Sequence, residues 1–177
     1  MAQHDPYAIF PPAPELAVTS TDFSADEVVP APHWGASMGG EDVSPQLSWS
    51  GAPEGTKSFA VTLYDPDAPT GAGFWHWAIY NIPADVTELP RGAGAPGGAL
   101  PAGAVTLPNE MRKRQYNGPT PPPGTGRHRY FFAVHALDTT LDLDPESTPA
   151  VLGFNCGFHT LGRGTLVATA QAGDIDS

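Results

Sequence analysis

Prolines and glycines interrupt this chain so often that a helical bundle is a poor fit, and the runs between them have the composition of β-strands. The chain has 20 glycines and 21 prolines, near the level at which low-complexity disorder competes with folding. Here they alternate with aromatic and β-branched segments, which assigns them to turns. Many short strands separated by Gly/Pro turns are the pattern of an all-β sandwich or barrel. A length of 177 residues suits one domain, and 40% hydrophobic content is enough to bury a core.

Residues 1–15 contain Pro6, Pro11, Pro12 and Pro14 and read as an irregular arm, with residues 16–177 forming a single domain. Leu16 to Phe23 alternates as a first strand. Ser44 to Trp49 sets Leu47 and Trp49 on one face, Gly51 to Gly55 turns the chain, and Ser58 to Tyr64 is a clear strand. Asp65-Pro66-Asp67-Ala68-Pro69 ends it, because proline cannot donate to a ladder and constrains the residue before it. A reversal this tight predicts a cis peptide at Ala68–Pro69. Trp75 to Ile82 is the next strand, and strict alternation puts His76 on a face with Ala78 and Tyr80, opposite Trp75 and Trp77.

Residues 84–127 are a long Gly/Pro-rich excursion with one β-like piece at Ala104 to Leu107, and such length in a compact domain signals function or partial order of its own. Arg129 to Leu137 is a core strand. After the acidic loop Asp138 to Pro149, the pattern predicts a short helix over Ala150 to Gly162 and a last strand over Gly164 to Ala170.

The net charge of −11, with only two lysines, repels a phosphate backbone and an anionic membrane alike, so no nucleic-acid partner is expected. Any anion site must therefore be local, built from backbone N–H groups and a few aimed side chains. The first 14 residues have neither a basic n-region nor an apolar h-region, and no stretch is long enough for a transmembrane segment, so the expected compartment is the cytoplasm. Cys156 is the sole cysteine and reads as a small buried hydrophobe.

Three segments taken together resemble the phosphatidylethanolamine-binding protein family, in its bacterial and archaeal Raf kinase inhibitor-like branch. They are Ser44-Pro45-Gln46-Leu47-Ser48-Trp49 with the strand into Asp65-Pro66-Asp67-Ala68-Pro69, then Trp75-His76-Trp77, then the loop Gly118 to Gly126 ending in Arg127-His128-Arg129-Tyr130. Leu152-Gly153-Phe154-Asn155 and His159 extend the likeness toward the C-terminus. The chain departs from the bacterial pattern at Thr120, where a cysteine or glycine is expected, and in the basic stretch Glu110 to Gln115.

The resemblance implies a Greek-key β-sandwich of two antiparallel sheets with one or two short peripheral helices. It implies a ligand pocket lined by Asp65, Asp67, Pro69, His76, the backbone of Gly118, Thr120 and Pro122, His128 and Tyr130. It also implies binding of a small phosphate- or carboxylate-bearing ligand of phospholipid head-group type, a homodimer, no cofactor and, by distant analogy, a regulatory role with an unknown protein partner.

The chemistry of these residues suits an anion independently. Glycine-loop N–H groups approach an oxyanion closely, a tyrosine hydroxyl donates, and histidine donates as a neutral ring or a cation. On this reading His128 is the main donor and Tyr130 the lesser one. Two carboxylates would repel an anion unless occupied, so Asp65 and Asp67 are expected to accept bonds from histidine, arginine or backbone donors and orient them.

Other readings stand beside this one. Asp65-Pro66-Asp67 is also ordinary turn chemistry, and His135 and His159 are ordinary structural histidines. Two histidines with two carboxylates could hold a metal, which the resemblance argues against. As an alternative function, Asp65, Asp67, His76 and His128 could serve acid/base catalysis of a cyclisation, dehydration or hydrolysis. No serine sits in a Gly-x-Ser-x-Gly elbow. A third reading is a protein-interaction module acting through the acidic surface.

Overall fold

The most apolar run, Ser58–Asp65 (β3), has seven of its eight residues buried, because it is paired on both edges and covered on both faces. In the computed structural model, which describes residues 4–175, it lies at the centre of a five-stranded sheet. Its neighbours are β4 (Phe74–Pro83) and β7 (His128–Leu137), with β6 (Val105–Thr106) outside β4 and β8 (Thr160–Ala170) outside β7. A smaller sheet joins β1 (Ala17–Thr19), β2 (Leu47–Ser50) and β5 (Glu88–Leu89) in that order. All these pairings are antiparallel. The order β7-β3-β4-β6 is that of a Greek key, in which the chain returns by a long connection to lie beside its first strand.

Alternate residues divide the core. Phe59, Val61 and Leu63 of β3, with Trp77, Ile79, Phe132 and Val134, face the small sheet and meet Val18, Leu47, Trp49 and Leu89. On the opposite face Ala60, Ala78 and Leu137 pack against Leu152 and Cys156 of the helix α1 (Pro149–His159). The N-terminal arm covers the remainder of that face, with Tyr7 against Phe131 and Ala133. Thr148 caps α1 by accepting from Val151 N–H, and Pro149 occupies its first turn. None of the helices is long and apolar enough to cross a membrane among the described residues.

Several elements differ in extent from the sequence expectations. The first strand shrinks to three residues because beyond Thr19 side chains replace the ladder: Gln46 Oε1 accepts from Thr21 N–H and Asp22 from Gln46 N–H. The helix stops at His159 and β8 starts at once at Thr160, four residues earlier than expected. Gly162 and Gly164 lie within that strand, since the chain entering β1 crosses directly over it. A Cβ on Gly164 would lie 2.1 Å from Leu16 O. The long excursion contains β5 and β6, the latter inside the expected Ala104 to Leu107 piece. No described peptide bond is cis, so Ala68–Pro69 is trans, against the expectation. The reversal is spread over more residues than a single tight turn: Thr70 N–H donates to Ala68 O, and Gly71 and Gly73 take positive φ of 80° and 69°.

The close approach at Gly164 generates a stability prediction. Gly164→Val should destabilise the fold by about 3 kcal/mol, the upper range for overpacking, because the obstacle is backbone that cannot repack. Thr165→Val, on the exposed side of the same strand, should stay within about 0.5 kcal/mol of the parent. Urea denaturation of both variants checks this.

Candidate functional site

The C-terminal end of β3 and the N-terminal ends of β4 and β7 meet at one edge of the large sheet. This brings Asp65, Phe74 and His128 side by side. Between them and the segment Thr120 to Pro122 lies a cavity of about 250 Å³, also lined by Pro69, His76 and Tyr130. Of the residues expected at the site, Asp65, Pro69, His76, Thr120, Pro122, His128 and Tyr130 line it, whereas Asp67 and Gly118 do not.

His76 reaches this cavity through a break in alternation. Leu63 pairs with Trp77 and Tyr64 with Trp75, leaving His76 as an extra residue in β4. The bulge puts His76 on the inner side, its ring edge-on to Tyr130 at 5.4 Å, while Trp75 lies tilted against Tyr64 at 4.3 Å on the other side. The expected placement of His76 opposite both indoles is therefore corrected: it is separated from Trp75 alone. His76 Nδ1 bonds Asn117 O at 2.8 Å. Burial lowers its pKa to about 4 despite that bond, so the ring is neutral at pH 7 and presents Nε2 as an acceptor.

Both aspartates are occupied, as the repulsion argument requires. Asp65 Oδ2 lies 2.7 Å from His128 Nδ1, and its Oδ1 accepts from Asp67 N–H. Asp67 accepts from the Arg129 backbone N–H and Nε through Oδ2 and from Nη2 through Oδ1, at 2.8–2.9 Å. Burial raises the Asp65 pKa, partly offset by His128. Burial pushes Asp67 the same way, but its bonds from Arg129 outweigh that and hold it below the usual value. Asp67 thus stands behind the pocket, fixing Arg129 and the start of β7.

The Gly/Pro loop contributes less backbone than expected. Pro119, Pro121 and Pro122 have no N–H, and the Gly118 N–H is bound to Asp42 Oδ1 at 2.7 Å. Gly118 is required for packing instead, since a Cβ there would lie 2.3 Å from the Trp34 carbonyl carbon. His128 is also fully engaged, its Nε2 lying 2.8 Å from Thr125 Oγ1. By contrast Tyr130 lines the cavity with its Oη buried, close to the Asp65 carboxylate but in no hydrogen bond of good geometry among the described residues. Burial, reinforced by the Asp65 charge, raises its pKa, so it remains a donor. Arg129, Thr125, Phe74 and Asp42 were not singled out from sequence. The Asp65/Asp67 and His128/Arg129 pairs carried the only available signal, opposite charges clustered at two strand ends.

The Asp67–Arg129 pair has a pH consequence. Its folded-state pKa is depressed, so its stabilisation is present above the unfolded value of about 3.9 and is lost as pH falls through the lower folded value. Asp65, with a raised pKa, acts in the opposite sense as pH rises past the unfolded value. Asp67→Asn should therefore destabilise by about 1–2 kcal/mol at pH 7, partial exposure screening the pair, and the difference from the parent should shrink below about pH 4. Denaturation curves of both proteins from pH 7 to 3 check this.

Comparison with known proteins agrees with this architecture. A family model described as phosphatidylethanolamine-binding protein matches residues 19–171. The chain is 43% identical over 156 residues to UPF0098 protein YbhB of Escherichia coli (strain K12), covering 86% of this chain and 98% of that one. It is 42% identical over 134 residues to a UPF0098 protein of Methanothermobacter thermautotrophicus, covering 76% and 86%. The crystal structure of E. coli YbcL, described as a new member of the mammalian PEBP family, superposes with a TM-score of 0.84 at 42% identity, covering 89% of this chain and 98% of that one. A match over most of the chain, close relatives across most of their length and the same fold together establish that the protein belongs to the phosphatidylethanolamine-binding protein family.

Proposed function

We propose that this protein binds a small phosphate- or carboxylate-bearing ligand, of phospholipid head-group type, in the cavity at Asp65, His76, His128 and Tyr130, without turning it over. The observation that carries the reading is the Tyr130 hydroxyl, a buried donor beside a cavity of about 250 Å³ that has Asp65 near it but no acceptor in good geometry among the described residues. Leaving such a donor unsatisfied costs about 1–3 kcal/mol, which a ligand oxygen recovers. Thr120 is the one residue of the Gly118 to Pro122 segment whose N–H is neither absent nor bound to Asp42, and it supplies a second donor. Pro69, Phe74 and Pro122 shape the apolar rim.

Binding is favoured over catalysis because neither histidine offers a free base of suitable strength. His76 titrates at about 4, far from the working pH of an efficient general base. His128 holds Asp65 on one side and Thr125 on the other. The buried Asp65–His128 pair is the feature that favours the enzymatic alternative, in which a ligand displaces Thr125 and frees Nε2. The proposed setting, on the sequence grounds given above, is a cytoplasmic homodimer.

On this proposal Tyr130, and not His128, is the main donor. Tyr130→Phe should weaken binding of phosphate or a phosphomonoester by about 1.5–3 kcal/mol, the range for a bond to a charged group. Thr125→Ala, which removes only an internal partner of His128, should change affinity by less than about 0.5 kcal/mol. Calorimetry on the folded variants checks this, with unchanged affinity in Tyr130→Phe counting against the pocket. Consumption of the phosphomonoester by the parent protein would establish the enzymatic reading.

A further inference from the structure

The outer face of the large sheet carries a second cavity, of about 680 Å³, between the N-terminal arm and α1. Its walls are Tyr7 and Phe10 of the arm, Tyr64 and Trp75 of the sheet, and Phe154 and Cys156 of the helix. It is separate from the pocket above, and the turn through Pro66 to Gly73 forms part of the wall between them, with Ala68 lining both. None of its lining residues is Asp, Glu, Lys or Arg, in a chain with 19 acidic and 8 basic residues. A volume of this order, mostly apolar with a few polar atoms, is what small-molecule sites have.

Two further observations indicate that the space is built rather than incidental. Gly153 sits inside α1, where glycine costs about 1 kcal/mol relative to alanine. Nothing requires it sterically: a Cβ there would meet only the Trp75 ring, at 4.0 Å. Any larger side chain would instead project into the cavity it lines. Second, His135 is 4% exposed, lines the cavity and makes one ring hydrogen bond, from Nδ1 to Thr160 Oγ1 at 3.3 Å, leaving Nε2 unpaired among the described residues.

We propose that this cavity is a binding site for an uncharged aromatic small molecule carrying a single hydrogen-bonding group, which His135 Nε2 engages. The aromatic walls suit a flat ring by offset or edge-on packing. The absence of charge sets the selectivity. Burial lowers the His135 pKa to about 3, pushes the Cys156 thiol up to about 12 and raises Tyr7, so these groups offer an ionic ligand no countercharge, and Arg163, which lies over the Tyr7 and Phe10 rings, does not line the cavity.

The test is a fluorescence titration with N-phenyl-1-naphthylamine, a neutral aromatic probe. The parent protein should show saturable binding of one equivalent. The anionic analogue 8-anilinonaphthalene-1-sulfonate should bind at least about tenfold more weakly, a difference of about 1.4 kcal/mol. Gly153→Leu should lose about tenfold or more in affinity for the neutral probe while melting no lower than the parent, and Tyr130→Phe should bind it unchanged. Absence of saturable binding overturns the proposal. Equal affinity in Gly153→Leu would mean adsorption to exposed Phe154 and Phe158 and would overturn it too. So would a probe signal lost as light scattering shows the mass doubling, which would make a second copy the occupant.

Discussion

Proline's missing N–H is the constraint on which the pocket end of this fold depends. The turn after β3 contains Pro66 and Pro69, and the opposing loop contains Pro119, Pro121, Pro122 and Pro123, so neither can be tied down by an ordinary ladder. Aspartates take over that task. Asp65 holds the Asp67 N–H, Asp67 holds the Arg129 N–H, and Asp42 holds both the Gly118 and Ala36 N–H groups. Each carboxylate accepts from a backbone N–H in or beside these turns. The acidic character of the chain is in this respect structural, not only a property of its surface.

The same constraint explains how much of the site was legible in the sequence. Asp65, His76, His128 and Tyr130, which line one cavity, are legible as a candidate site because strand ends beside Gly/Pro loops are where sites collect, and the family resemblance groups them. For the loop backbone, glycine suggests close approach to a ligand. Here Gly118 instead lets the chain pass within reach of Trp34 and spends its N–H on Asp42. Nothing local distinguishes a glycine needed for a ligand from one needed for packing; the discriminating atom, on Trp34, is more than eighty residues away in the chain.

Strand existence was legible in β3, β4 and β7, where aromatic and β-branched residues run unbroken. Face assignment was not, because alternation assumes a regular ladder. One extra residue in β4 moved His76 to the inner side, and a second irregularity lies between Phe59 and Val61, beside Asn81, whose φ is 57°. The Asn81 side chain bonds both the N–H and the carbonyl of Leu141, acting as a substitute strand partner. Such bulges depend on pairing across strands, so a single run of residues does not reveal them.

The remaining difficulty for the proposed anion pocket is the net charge of −11, and local grounds answer it. At physiological ionic strength, exposed charges farther than about 8 Å are largely screened, so most of the acidic surface has little influence inside the cavity. What matters is the charge within that distance. Asp67 is matched by Arg129 through two parallel bonds, and Asp65 sits against His128 with burial favouring its protonated form. The nearest negative charges are therefore compensated before any ligand arrives. Beside the cavity stand the Tyr130 hydroxyl, whose raised pKa keeps it protonated, and the Nε2 acceptor of neutral His76. On the proposed reading, global charge bears on which macromolecules the surface repels, while the pairing of four side chains bears on what the pocket accepts.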